Sequence, residues 1–160
     1  MDTFCIPIVV EDEKDLYEKY YPSALSFSSD LTAYLEDFLE DRKLGDGVIL
    51  ELQAPQQPDM EHFRNAFHAF TEKLIRRNSK AIHLADLKAI LFLLLGMAFV
   101  SIRVALGDNV DTIGAEIISA IGSFAMWGAA AAFIETLPTL RVEKKRLELF
   151  SKAEIRYKAI

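Results

Sequence analysis

The sequence predicts a membrane α-helical hairpin of two transmembrane helices, joined to a small α+β cytoplasmic domain. Three observations predict it. Two apolar runs of spanning length, Ala89–Leu106 and Ile113–Leu137, lie a short turn apart. Basic residues flank the pair on its outer sides, while the turn holds acids and no base. Short β-type segments, Phe4–Val10 and Val48–Ala54, bracket an amphipathic stretch, as strands and a helix of one compact domain would.

The spans come first. A bilayer core needs about 20 mostly apolar helical residues, because a helix rises about 1.5 Å per residue. Ala89–Leu106 has 18 residues and one charge, Arg103. The centre of the second run, Ile117–Ile134, has 18 residues and none. The turn Gly107–Thr112 is too short for anything but antiparallel neighbours. Lys73, Arg76, Arg77, Lys80 and Lys88 precede the pair, and Arg141, Lys144, Lys145 and Arg146 follow it. The positive-inside rule then places both termini in the cytoplasm, with the inner (plasma) membrane as location. Asp2 stands where a signal peptide would be basic, and no lipidation motif is visible at either end.

Three segments follow from this division: a cytoplasmic α+β domain over 1–78, the hairpin over 79–140, and a basic helix with a tail over 141–160. In the first, Phe4–Val10 reads as a strand, and Pro7 assigns it to an edge or a bulge because proline donates no ladder bond. Residues 12–20 suggest a short helix ending at Tyr21-Pro22. Ser29 is the expected cap of a helix carrying Leu31, Leu35, Phe38 and Leu39, which ends by Gly45. Val48, Leu50 and Leu52 share one face of a second strand. Asp59 can cap a helix whose Phe63, Phe67, Phe70 and Leu74 form a core stripe. That helix is expected to break at Asn78-Ser79, with a new one entering the membrane. Pro138 marks the exit of the second span. Leu147 and Phe150 are the best buried candidates of the basic helix, and Ile155, Tyr157 and Ala159 alternate with charges in the tail. Two strands alone make a marginal sheet, so the tail is predicted to return as a third strand.

Apolar residues are 51% of the chain and the net charge is −6. Residues 1–60 carry 14 acids against 4 bases, and residues 61–160 carry 10 against 14. This excludes a disordered acidic tail, a disulfide scaffold and a general nucleic-acid binder; no nucleic-acid partner is expected. The single cysteine, Cys5, reads as a small buried hydrophobe.

Functional candidates are few. Arg103 and Glu116 lie equally far from the turn, hence at similar depth, and an ion pair between them would lower the cost of two intramembrane charges. Ser119, Gly122, Ala125, Ala129 and Ala132 recur at steps of three or four, as a helix-packing face needs. This stripe offers more small surface than one partner uses, which suggests a homo-oligomer. Trp127 reads as a packing anchor. Glu36, Asp37, Glu40 and Asp41 crowd one helix and offer a surface to a cytosolic protein partner. His62, His68 and His83 are the only histidines; His68 and Glu72 share a helix face, but three converging ligands are not legible. Catalytic, cofactor and metal motifs are absent from the sequence, and none is assigned. The expected function is a membrane-anchored, self-associating interaction or sensing module with no catalytic activity. An oligomeric pore or membrane-disrupting effector is the alternative. An enzyme acting on a lipid or a membrane-proximal substrate is the second alternative.

Ser29-Asp30-Leu31 with Tyr34-Leu35, then Phe124-Ala125-Met126-Trp127, then Ala153-Glu154-Ile155-Arg156-Tyr157 resemble a family of small bacterial two-span membrane proteins. That pattern has an acid after the tryptophan, where this chain has Gly128. The resemblance implies topology and supplies no chemistry.

Overall fold

The computed structural model describes residues 3–17, 26–41, 47–107 and 111–160; the side chains of Thr3, Glu40, Asp41 and Thr112 are outside that description. In chain order the elements are β1 (Thr3–Val9), a 3-10 turn (Glu13–Leu16), α1 (Ser29–Asp41), β2 (Gly47–Ala54), α2 (Met60–Leu106), α3 (Thr112–Ala131), a π-helical segment (Ala132–Thr136), α4 (Leu137–Phe150) and β3 (Glu154–Ala159). They divide into two compact units. One comprises Met1–Arg77 with Glu143–Ile160, the other Asn78–Val142.

The first unit is built on a three-stranded sheet of order β1-β2-β3, parallel throughout. The tail is therefore the third strand, as its alternation predicts. Ile6 pairs with Leu50 and Leu50 with Ile155, so these side chains share one face. On that face Ile6, Ile8, Val48, Leu50 and Leu52 are buried. The helices supply the rest of the core: Leu31 and Leu35 from α1, Phe63, Phe67, Phe70 and Leu74 from α2, and Leu147 and Phe150 from α4. Each was legible as an apolar helical stripe. The opposite face carries Cys5, Pro7 and Val9 beside Glu51, Gln53, Glu154, Arg156 and Lys158. Cys5 is exposed there and is not the buried hydrophobe expected.

Pro7 is tolerated because of its register. The Val10 N–H donates to Gln53 O, so even-numbered residues of β1 point their backbone groups at β2 and Pro7 points its own outward. The Pro7 carbonyl is met instead by the Tyr34 hydroxyl of α1 at 3.0 Å.

Local starts follow short-range chemistry. Asp59 Oδ1 accepts from the N–H groups of Glu61 and His62, capping α2. In α1 the cap is Ser28 rather than the expected Ser29. Its Oγ accepts from the Leu31 N–H at 3.4 Å and its carbonyl from the Thr32 N–H. The short helix expected over 12–20 is only the 3-10 turn, capped by Asp12, after which Tyr17 bridges Phe27 in an antiparallel step. Its expected end at Tyr21-Pro22, and Gly45 after α1, lie outside the described residues.

Two expected breaks are absent. α2 runs through Asn78-Ser79 without interruption for 47 residues. Asn and Ser are only weak helix formers, and neither removes a backbone donor as proline does. Asn78 instead continues the buried stripe of Leu74, Ala85 and Ala89. Pro138 does not end the second helix either. It sits two residues after the π segment, whose following residue, Leu137, reaches back with its N–H to Ala132 O. The wider turn absorbs the clash and missing donor that proline brings to a helix. The Thr139 hydroxyl supplies a bond to Glu135 O at 2.7 Å.

The second unit is an α-helical hairpin. Two helices among the described residues, Met60–Leu106 and Ile113–Phe150, are long and apolar enough to cross a membrane. Only 11% and 17% of their most apolar windows are buried within the chain. Core helices of a soluble domain are covered by their own protein; these are not. Between them the packing is close at glycine. A Cβ on Gly96 would lie 2.7 Å from Met126 Cγ and Sδ, and one on Gly122 would lie 3.2 Å from Phe99 Cβ. Small residues let the backbones approach.

Candidate functional site

Described residues of the first unit line an open cavity of about 630 Å³ beside the C-terminal half of β1. Ile8, Val10, Leu16 and Leu31 give it apolar walls, and all four are buried in the core. Its rim carries Glu11, Asp15 and Asp30, and no Lys, Arg or His is among the described residues that line it. Pro7, Val9, Ser28 and Tyr34 complete it, Tyr34 with its hydroxyl donating to Pro7 O. The position follows from topology. In parallel sheets the crevice beyond the strand ends, where a strand hands over to its helix, is the usual place for a ligand. An anion would find the N-terminus of α1 there, but Asp30 already occupies its first turn, and Glu11 and Asp15 add like charge. None of the three carboxylates has an ion-pair partner among the described residues.

Sequence reasoning missed this cavity. Its acids, Glu11, Asp15 and Asp30, carry no role in the sequence reading, because only a parallel sheet makes the end of β1 a crevice. The signal was present as an apolar strand followed at once by Glu11-Asp12-Glu13 and, further on, a helix start.

Nearby, the Tyr17 hydroxyl is enclosed without a hydrogen-bond partner among the described residues. Burial first, then the charges of Glu13 and Asp59, push its pKa up to about 12. His62 packs edge-on against the same ring at 4.6 Å, so it serves as an aromatic neighbour. His68 and His83 are exposed and apart. Glu72 pairs with Arg76 at 2.8 Å rather than sharing a ligand with His68. No group of three metal-ligating side chains occurs among the described residues.

The acidic run of α1 is not one continuous free surface. Glu36 is half-buried and pairs with Arg77 Nη2 at 3.5 Å, while Asp37 is exposed. The side chains of Glu40 and Asp41 lie outside the described set. Across the open sheet face, Glu51 accepts from Gln53 and from Lys158, and these bonds hold its carboxyl below the usual glutamate range. Arg156 holds Glu154 down in the same way.

In the hairpin, Arg103 does not pair with Glu116. Its Nη1 donates to Gly107 O at 2.9 Å, a carbonyl left open at the end of α2. A local bond to the helix terminus orders fewer groups than a pair between two long side chains. Gly122, Ala125 and Ala129 are buried, Ala132 is half-buried, and Ser119 is exposed. The small stripe is thus largely covered within the hairpin, and Ser119 lies off it. Trp127 is 74% exposed and is not the packing anchor expected. Asp86 and Arg141 meet at 3.8 Å across the open end of the hairpin.

Fold and cavity together define a two-helix hairpin of spanning length inserted into a small parallel α/β domain. No protein-family model, curated protein or solved structure matches the chain.

Proposed function

We propose that the protein is a membrane-anchored, self-associating interaction or sensing module, with its sheet domain in the cytoplasm. The carrying observation is that β3, which follows the hairpin in sequence, lies in one sheet with β1 and β2, which precede it. A hairpin so enclosed supports a chain that crosses the bilayer twice and has both ends on one side. The weakly covered apolar windows support lipid as the solvent of the hairpin. Lys88 and Arg141 near its open end support the cytoplasmic assignment of that end. Glu116, Ser119 and Ser123 recur on one exposed face of α3, off the covered stripe, and have no partner among the described residues. In hydrocarbon such groups favour a second copy that can hydrogen-bond them. The cavity beside β1 is the place where a ligand would be sensed.

The test uses Cys5, the sole cysteine, which is exposed. In sealed cells, membrane-impermeant maleimide should leave Cys5 unlabelled, and the Cys5→Ser/Asp111→Cys variant should label. The protein should stay with membranes at alkaline pH. Release at alkaline pH, or the reverse labelling pattern, refutes the anchoring and its orientation. A monomer both in mild detergent and in nanodiscs refutes the self-association.

A further inference from the structure

We infer that the cavity beside β1 binds a small organic cation, an amine or guanidinium attached to an apolar body. The inference rests on the reading of the sheet domain as a ligand-responsive module and names the class of ligand. Four features carry it.

Size is the first. At about 630 Å³ the cavity falls in the range of roughly 300–1,000 Å³ typical of small-molecule sites. A lone lysine or arginine side chain would leave much of that space empty.

Composition is the second. Ile8, Val10, Leu16 and Leu31 form apolar walls, so the body of the ligand is apolar. Three carboxylates, Glu11, Asp15 and Asp30, stand at the rim without a partner cation among the described residues. The described lining supplies no counter-charge to these carboxylates, and a bound cation would supply one. The partial positive charge at the N-terminus of α1, about half a unit, is too small to offset three carboxylates and reverse the preference.

The third feature is Tyr34. Its hydroxyl is held by Pro7 O, which fixes the ring in the cavity wall. A fixed aromatic wall adds attraction for a cation over its face.

The fourth separates a small molecule from a peptide. An extended peptide would add to the outward edge of β1. That edge lacks a donor at Pro7, and the Pro7 carbonyl is already taken by Tyr34. Strand addition is therefore blocked midway along β1, while the cavity beside it is open.

The experiment uses the full-length protein in nanodiscs with three probes of matched shape: phenethylamine, 2-phenylethanol and 3-phenylpropionate. Binding is read by saturation-transfer and amide-shift NMR, with empty nanodiscs as the control for partitioning. Phenethylamine is expected to bind at least about tenfold more tightly than the alcohol, with the carboxylate weakest. This preference should shrink as salt rises, since the rim is exposed. The Glu11→Gln/Asp15→Asn/Asp30→Asn variant changes only exposed side chains, and its amide spectrum shows whether the fold is kept. It should abolish the preference and leave alcohol binding unchanged.

Equal binding of amine and alcohol overturns the inference, as does a preference that survives in the triple variant. Binding no greater than to empty nanodiscs does the same. Tighter binding of a tetra-arginine peptide than of the amine would replace the small molecule with a basic chain and overturn it too. Membrane extraction and cysteine labelling are independent of these titrations, so either result can fail alone.

Discussion

Phe150→Ala tests whether the segments before and after the hairpin form one cooperative core. Phe150 is fully buried, and its ring meets Phe67 of α2 edge-on at 5.1 Å. Truncating a buried phenylalanine costs about 3–5 kcal/mol, from lost transfer energy and the cavity left behind. A domain of this size has roughly 5–15 kcal/mol in all. At about 1.4 kcal/mol per factor of ten, the equilibrium for opening should rise by about two to three and a half powers of ten. Hydrogen exchange in nanodiscs reads this directly. Amides of β1, β2 and β3 should lose protection together and by a similar factor, while those of Ala89–Leu106 keep theirs. Trp127, the only tryptophan, lies in α3, so its emission serves as an internal control on the hairpin. Loss confined to β3, with β1 and β2 unchanged, would refute the single core.

Three further expectations can be checked together. Gly96→Ala should destabilise the hairpin by about 1–3 kcal/mol, because its Cβ would overlap Met126, whereas Gly128→Ala, with Phe92 at 3.4 Å, should stay within about 0.5 kcal/mol; thermal unfolding in mild detergent separates them. Tyr17→Phe removes an unpartnered enclosed hydroxyl and should raise stability by about 1 kcal/mol in urea unfolding at neutral pH. Because the folded pKa of Tyr17 is raised from 10.0 to about 12, its contribution is fully present below pH 10 and fades between pH 10 and 12; the Phe variant should lose that part of the alkaline dependence. The Glu51 carboxyl is lowered in the fold, so its contribution is present above the usual glutamate range and fades as pH falls below it; β3 amide protection should decline there, and Glu51→Gln should remove that decline.

Much of the architecture was legible because it rests on periodicity. The stripe Phe63, Phe67, Phe70 and Leu74, the alternation of β2 and the two apolar runs each announce an element and its buried side. The alternation of Ile155 and Tyr157 announced β3, but alternation carries no direction, and the parallel pairing was not legible. Breaks were read less well. Asn78-Ser79 looked like a boundary by composition, yet burial of Asn78 in the helix stripe overrides so weak a signal. Pro138 looked like an exit, and the π turn before it lets the helix continue. The proposed Arg103–Glu116 pair assumed that charges at equal depth must meet, whereas a carbonyl four residues away was the nearer partner of Arg103. The cavity escaped because its residues come from three places in the sequence, brought together only by the course of the chain around β1.

The split sheet has a consequence for how the chain is made. β2 is the central strand, and its partner β3 follows it by 100 residues, from Ala54 to Glu154. At about 5–20 residues per second, synthesis leaves that side of β2 bare for roughly 5–20 s. During this interval both apolar helices must be made and, on the proposed reading, taken into the bilayer before the chain returns. Until then, Val48, Leu50 and Leu52 border an open ladder, the kind of edge that recruits other chains. A ribosome stalled within the hairpin would therefore display a sticky, unfinished sheet, and only the arrival of β3 closes it.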